Sequence, residues 1–142
     1  MALIAGVLLV PPAGAAPQGF DFSVVGPNGG GGRAYGNVDF TGKRSFTFDL
    51  RVVDQCNSAG NGDGLEVEVY FAMTTPSNAT RVTEIKGWDR SGCGDGIPGP
   101  FSGTVSRDHD IKDLRVVIQL VHPSGAAAGY STPSGFKNNP FV

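Results

Sequence analysis

Two glycine-rich segments, each with one cysteine, carry most of the side chains that could bind a cation. Cys56 and Cys93 are the only two cysteines, and in an oxidising compartment such a pair usually forms one disulfide. That bond would bring the two segments together. The oxygen-bearing side chains in and beside them are Asp54, Asn61, Asp63, Asp89 and Asp95. Carboxylate and amide oxygens bind calcium, so these five residues are a candidate calcium site, and ordinary turn formation is the alternative interpretation of the same residues.

Trp88 and three other residues are the candidates for ligand binding. Trp88 is the single tryptophan of the chain, and the face of an indole can stack on a sugar ring or on a partner side chain. Arg90, Tyr35 and Tyr70 are the other candidates, the two tyrosines because they fall opposite the core residues of their predicted strands. The alternative for Trp88 is packing over the disulfide, since Cys93 is five residues away. The alternation pattern does not decide between the two faces.

Catalytic constellations are scarce in this sequence. His109 and His122 are the only histidines, and neither accompanies a recognisable nucleophile motif. Glu66 and Glu68 share one face of a predicted strand, where a solvated polar face explains them better than a glycosidase pair does. We therefore predict that the protein is not an enzyme and uses no cofactor.

Segments in which apolar and polar residues alternate predict seven β-strands. They cover residues 19–25, 34–41, 45–53, 65–73, 80–88, 101–106 and 114–122. The last segment is apolar on both faces, as expected of a central strand. Short strands separated by frequent turns predict an all-β fold, namely a two-sheet antiparallel sandwich of immunoglobulin-like or jelly-roll type with one disulfide.

Two further segments lack the alternation of strands. The four glycines at 29–32 predict a flexible loop between the first two strands. Residues 123–142 are rich in Gly, Ala, Ser and Pro. We expect them to form an extended tail that docks through Tyr130, Phe136 and Phe141.

The composition agrees with a turn-rich β domain and excludes several other classes. The chain has 142 residues with 22 Gly and 10 Pro, a length typical of one domain. Of the 13 acidic residues, ten are the turn former Asp and three are the helix former Glu. A formal net charge of −2 provides no basic field for nucleic acid or anionic lipid. We expect a monomer that has no nucleic-acid partner.

Residues 1–15 predict a secretory signal peptide. Residues 2–10 form an unbroken apolar or small run, and 13–15 match a small-residue cleavage site. As a helix this run is ~14 Å long, about half the thickness of a bilayer core, so we predict no membrane span. No Lys or Arg precedes the run, so we also expect an upstream start or an atypical signal. Cleavage after residue 15 would leave 16–142 as one secreted domain.

Four short stretches carry a resemblance to other proteins. They are residues 33–42, 44–47, 88–90 with Cys93, and 138–141. Together with the predicted signal peptide, they resemble small exported actinobacterial β-sandwich proteins of unknown function. The resemblance implies export and a sandwich fold, and it implies no activity and no catalytic residue.

These observations predict a secreted, non-enzymatic binding protein. The expected ligand is a glycan or the surface of a cell envelope, bound through Trp88. The alternative is an inhibitor of an extracellular enzyme that acts through a disulfide-braced loop, either 57–64 or 91–100. In that case the partner is a secreted protein.

Overall fold

Residues 14–142 are described by the computed structural model, and their strands form two antiparallel sheets that pack face to face. Sheet A has the order β1-β2-β3-β7, with β1 Gln18–Val25, β2 Gly31–Gly42, β3 Ser45–Gln55 and β7 Phe101–Ser106. Sheet B has the order β10-β8-β4-β5, with β10 Lys137–Asn138, β8 Asp113–Val121, β4 Glu66–Thr74 and β5 Thr80–Val82. In sheet B, β6 (Gly87–Asp89) also pairs with β4, and β9 (Ala127–Pro133) pairs with β8.

The predicted all-β, two-sheet antiparallel sandwich with one disulfide is confirmed. The strand at 113–121 is central as predicted, because it pairs with β4 on one side and with β9 and β10 on the other. Residues 1–13, which include nearly all of the predicted signal peptide, lie outside the described residues. Within 14–142, no helix is long and apolar enough to cross a membrane.

Aromatic residues join the two sheets at the centre of the core. Phe46 and Phe48 of β3 pack against Phe71 of β4, with ring centroids 5.2 and 5.1 Å apart. Because β3 lies in sheet A and β4 in sheet B, these contacts cross the space between the sheets. Alternation places all three rings on inner faces, where they are buried.

The glycine run is partly strand, so the predicted flexible loop at 29–32 is wrong for its second half. Gly31 and Gly32 are buried members of β2. A Cβ on Gly31 would lie 2.0 Å from the carbonyl oxygen of Val24, and one on Gly32 would lie 2.6 Å from a methyl group of Val67. Gly31 permits a close approach of the neighbouring strand β1, and Gly32 permits a close approach of the facing sheet. The sequence alone does not distinguish these roles from flexibility.

The predicted strand at 80–88 is two short strands, β5 and β6, separated at Thr83. The Phe71 N–H donates to the Thr83 hydroxyl at 3.0 Å, and the same hydroxyl donates to the Glu84 carbonyl at 2.7 Å. The Thr83 hydroxyl therefore takes the place of a backbone carbonyl as the acceptor for Phe71, and the regular backbone hydrogen bonding between β4 and β5 ends there. The chain rejoins the sheet at Gly87.

The C-terminal segment 123–142 is held mainly by its backbone. It contains β9 and β10, which both pair with β8. Of the three aromatic residues expected to dock it, Phe141 packs against the core, whereas Tyr130 and Phe136 are exposed. The buried amide of Asn139 adds an anchor by donating to the Ile111 carbonyl at 2.8 Å.

Cys56 and Cys93 form the predicted disulfide and connect the loop after β3 to the loop after β6. Their sequence separation of 37 residues sets the size of the loop that the bond closes. We expect the double variant Cys56→Ser/Cys93→Ser to lose about 4 kcal/mol of unfolding free energy, because the unfolded chain regains that loop entropy. Urea denaturation measures this loss.

Reduced wild-type protein is the matched control for the double variant. It should unfold at the same urea concentration as the double variant, because both lack the same constraint. A loss below about 1 kcal/mol in either protein would contradict a loop-entropy role for the bond.

Candidate functional site

A row of side chains crosses the outer face of sheet B and begins at Trp88. The strand register pairs Trp88 of β6 with Glu68 of β4, Glu68 with Gln119 of β8, and Gln119 with Ser131 of β9. Directly paired residues of antiparallel strands lie on the same face of a sheet. The residues on either side of Glu68 are buried in the core, so these four side chains, here called the Trp88 row, face away from it.

The indole of Trp88 lies at the open edge between the sheets. Its centroid is 4.7 Å from that of Phe101 in β7. The Arg90 guanidinium carbon is 5.1 Å from the indole centroid. Trp88 is nevertheless 39% exposed, so part of the ring remains open for stacking. This placement favours the exposed-ring interpretation over packing on the disulfide.

Arg90 links the indole to two carboxylates. Its Nη2 lies 3.2 Å from Glu68 Oε1, and its Nε lies 3.7 Å from Glu66 Oε2. The other oxygen of Glu68 accepts a hydrogen bond of 3.3 Å from Gln119 Nε2. Only 11% of the Glu68 side chain is exposed, so this network holds the carboxylate in one orientation.

Two pockets lie on either side of Arg90. The larger, of about 520 Å³, lies between the two cysteine loops and includes Asp54 in its lining. The smaller, of about 280 Å³, lies between Glu68 and the turn that joins β8 to β9. Glu66, Arg90 and Pro123 line both pockets, so the two form neighbouring parts of one groove.

The two predicted tyrosine candidates lie on opposite faces of the protein. Tyr70 is half-buried on the same face of β4 as the Trp88 row. Tyr35 lies on the outer face of sheet A, where the Arg33 guanidinium carbon is 5.0 Å from its ring centroid. The structure therefore brings Trp88, Arg90 and Tyr70 together and leaves Tyr35 apart.

The predicted aspartates gather behind the Trp88 row, at the disulfide end of the core. Asp89 is fully buried, and its Oδ2 accepts the backbone N–H of Asp54 at 2.8 Å. Its Oδ1 accepts hydrogen bonds from the N–H and the hydroxyl of Ser91 at 3.2 and 2.9 Å. Asp63 Oδ1 accepts the Leu65 N–H at 2.9 Å. Among the described residues, Asp54 Oδ1 and Asp63 Oδ2 are buried without a hydrogen-bond partner.

The environment of Asp54 changes its protonation. Burial raises its pKa to about 7, and the charges of Asp63, Asp89 and Asp95 act in the same direction. The hydrogen bond from the Gln55 backbone N–H acts in the opposite direction. Asp54 is 5% exposed, so water screens these charges only weakly.

The structure brings the candidate calcium ligands near one another but does not arrange them as a metal site. The four aspartates are near one another, and Asn61 lines the larger pocket. However, no three His, Cys, Asp or Glu side chains in residues 14–142 are arranged so that they could hold a metal ion. The structure therefore supplies no coordination geometry for calcium at these residues.

A third pocket lies elsewhere, at the other end of β4. It has a volume of about 770 Å³ and is lined by the β4–β5 turn and the β7–β8 connection, which contains His109. His109 Nδ1 is 2.8 Å from Asp108 Oδ1, and Asp110 accepts a 2.8 Å hydrogen bond from Arg44. Residues 108–110 therefore form a charged connection whose side chains are paired with one another or with Arg44.

Gln119, Ser131 and Phe101 are members of the site that the sequence did not identify. The sequence does contain a feature that marks Gln119, because this polar residue interrupts the apolar run of β8 on the outer face. No feature of the sequence marks Phe101 as a neighbour of Trp88, because Phe101 belongs to the other sheet and contacts Trp88 only when the two sheets pack together.

Comparison with known proteins identifies no relative of this chain. No protein-family model, curated protein or solved structure matches the chain. A functional conclusion therefore depends on the geometry of the Trp88 row and its surroundings.

We expect Asp54 to make the folded state less stable as the pH rises from about 4 to above 7. Its pKa is raised from 3.8 to about 7 on folding, so over this range the folded chain holds a proton that the unfolded chain has lost. The free energy that protonated Asp54 contributes to the folded state is fully present below the unfolded pKa of 3.8 and is lost as the pH rises through the folded pKa of about 7. This contribution amounts to at most about 4 kcal/mol. Asp54→Asn cannot ionise and should be the more stable protein at pH 8. Urea denaturation at pH 5 and pH 8 measures both.

Asp49→Asn is the matched control, because Asp49 is an exposed residue of the same strand. It should leave the pH dependence unchanged. The comparison stays above about pH 4.5, because Asp21 and Asp110 have pKa values lowered by hydrogen bonds from Arg33 and Arg44, and those ion pairs are lost only in stronger acid. Equal wild-type stability at pH 5 and pH 8 would show that Asp54 does not titrate as described.

Proposed function

We propose that this protein is a secreted, non-enzymatic binding protein that recognises a glycan, either free or on a cell envelope, through the outer face of sheet B. The observation that carries the proposal is the partly exposed indole of Trp88 at the end of a row of oriented hydrogen-bonding groups. The disulfide supports the extracellular assignment, because such bonds persist in oxidising compartments.

The chemistry of the Trp88 row matches the two surfaces of a sugar. A pyranose ring presents an apolar C–H face, which packs on an indole, and hydroxyl groups, which both donate and accept hydrogen bonds. Glu68 is an acceptor, whereas Arg90 and Gln119 are donors. A sugar stacked on Trp88 would therefore meet Arg90 beside the ring and Glu68 one strand spacing away, about 4.8 Å, whereas Gln119 lies two spacings away.

Preorganisation of these groups supports binding. Glu68 is held between Arg90 and Gln119 before any ligand arrives. Side chains that are already ordered lose little rotamer entropy when a ligand binds. The same pairing argues against a catalytic role for Glu66 and Glu68, since Arg90 engages both.

We expect glycan binding to change the emission of Trp88, which reports on the site alone because it is the single tryptophan. The probes are xylan, mixed-linkage β-glucan, glycol chitin and peptidoglycan fragments. At least one should give a saturable change. Trp88→Ala should weaken binding of that probe by about 10-fold or more, because a stacked ring contributes at least about 1.4 kcal/mol. Isothermal titration calorimetry compares the variant with wild type.

Tyr35→Ala is the control for the Trp88 variant. It removes an aromatic ring that also lies beside an arginine, on the opposite face of the protein. Its affinity should equal that of the wild type. An equal loss in both variants, or unchanged emission with every probe, would refute binding at Trp88.

The loop at 91–100 favours a second candidate function, inhibition of an extracellular enzyme. Its base is fixed by Cys93 and by the hydrogen bond from the Ser91 hydroxyl to Asp95 at 3.2 Å. It presents Ile97 to solvent at 50% exposure. A braced loop with one projecting apolar side chain fits an enzyme cleft at little entropic cost.

If the loop inhibits an enzyme, equimolar protein should lower the activity of at least one secreted protease or glycosidase in a defined panel. Ile97→Asp should weaken that inhibition by about 10-fold or more, since the projecting side chain would lose its apolar contact. Val82→Asp, at another exposed aliphatic residue, is the control and should inhibit as the wild type does. Unaltered activity across the panel would exclude this function for the enzymes tested.

A further inference from the structure

A second aromatic side chain beside an arginine lies on the same face of sheet B as Trp88. The Arg115 guanidinium carbon is 4.5 Å from the centroid of the Phe136 ring. Phe136 is 55% exposed. Arg115 and Gln119 both belong to β8 and are four residues apart, so period-two alternation places them on one face.

One strand pair between the Trp88 row and Arg115 carries no charge. Tyr70 of β4 pairs directly with Val117 of β8, in the position between the Trp88 row and Arg115. Tyr70 is half-buried and Val117 is 8% exposed, so the tyrosine ring is the part of this pair that a ligand could reach. From the strand spacing and the rise along β8, Trp88 and Phe136 are about 20 Å apart.

The two arginines differ in the partners they already have. Arg90 is engaged by Glu66 and Glu68. No salt bridge among residues 14–142 includes Arg115. Its guanidinium donors therefore remain free for the hydroxyl groups of a ligand that also covers the Phe136 ring.

We propose that Phe136 and Arg115 form a second contact for the same glycan, so that the ligand is a chain that spans from Trp88 to Phe136. This inference rests on the proposed function. The same combination of an aromatic face and a guanidinium occurs at both ends, and the half-buried ring of Tyr70 lies between them on the same face. Once one end is bound, the second contact forms within the same complex and adds to the affinity without a new encounter.

The experiment compares short and long chains of the same sugar. Xylo-, cello- and chito-oligosaccharides of two and of six units are titrated against wild type, Trp88→Ala and Phe136→Ala by calorimetry. The six-unit chain of the recognised series should bind wild type at least about 10-fold more tightly than the two-unit chain. Phe136→Ala should remove that advantage and leave the two-unit affinity unchanged, whereas Trp88→Ala should weaken both.

A conservative variant and a control separate loss of contact from loss of fold. Phe136→Tyr keeps an aromatic face and should retain most of the six-unit affinity. Tyr35→Ala, on the opposite face, should behave as wild type with both lengths. The melting temperatures of the Phe136 variants should match that of wild type, because the Phe136 side chain is 55% exposed.

The outcomes distinguish this inference from the proposed function. Equal affinity for both lengths, or a Phe136→Ala effect that is the same for both, would overturn the spanning chain and leave binding at Trp88 intact. Absence of binding by every series and by the polysaccharides used above would overturn both.

Discussion

The carboxylate of Asp89 connects the parts of the molecule that make up the site. It is fully buried and accepts hydrogen bonds from Asp54 in sheet A and from Ser91 in the cysteine loop, while its own strand pairs with sheet B. A buried carboxylate without such partners would cost several kcal/mol. Because β6 has only three residues and three pairings, these hydrogen bonds fix a strand that the ladder alone would hold weakly.

The position of Asp89 also determines where the candidate binding face lies. Side chains alternate along a strand, so an inward Asp89 requires its neighbours Trp88 and Arg90 to turn outward. The consequence is that two buried carboxylates, Asp54 and Asp89, lie near each other, and that Asp63 and Asp95 are also close enough to raise the pKa of Asp54. Asp89, which orients the candidate binding surface, is thus also one of the charges that raise the pKa of Asp54 behind that surface.

Alternation in the sequence predicted the central strands well, because burial of one face is a local property. The segments 45–53 and 65–73 match β3 and β4 within two residues. The break at Thr83 was missed, since a hydroxyl that replaces a backbone acceptor leaves the alternation unchanged. Trp88 could be selected from its type alone. Its alignment with Gln119 could not, because it depends on the register of strands far apart in the chain.

The outer faces of the two sheets differ in a way that favours sheet B for recognition. On sheet A, Tyr35 lies beside Arg33, which forms an ion pair with Asp21 in which both side chains are about half exposed. Exposed pairs of this kind contribute little and stay mobile. On sheet B, Glu68 is nearly buried and has two donors, so its geometry is fixed before a ligand arrives. A surface whose polar groups are already ordered and whose aromatic rings remain partly open spends little free energy on reorganisation when it binds. By that criterion the face that carries Trp88 is suited to bind a ligand, and the face that carries Tyr35 is an ordinary solvated surface.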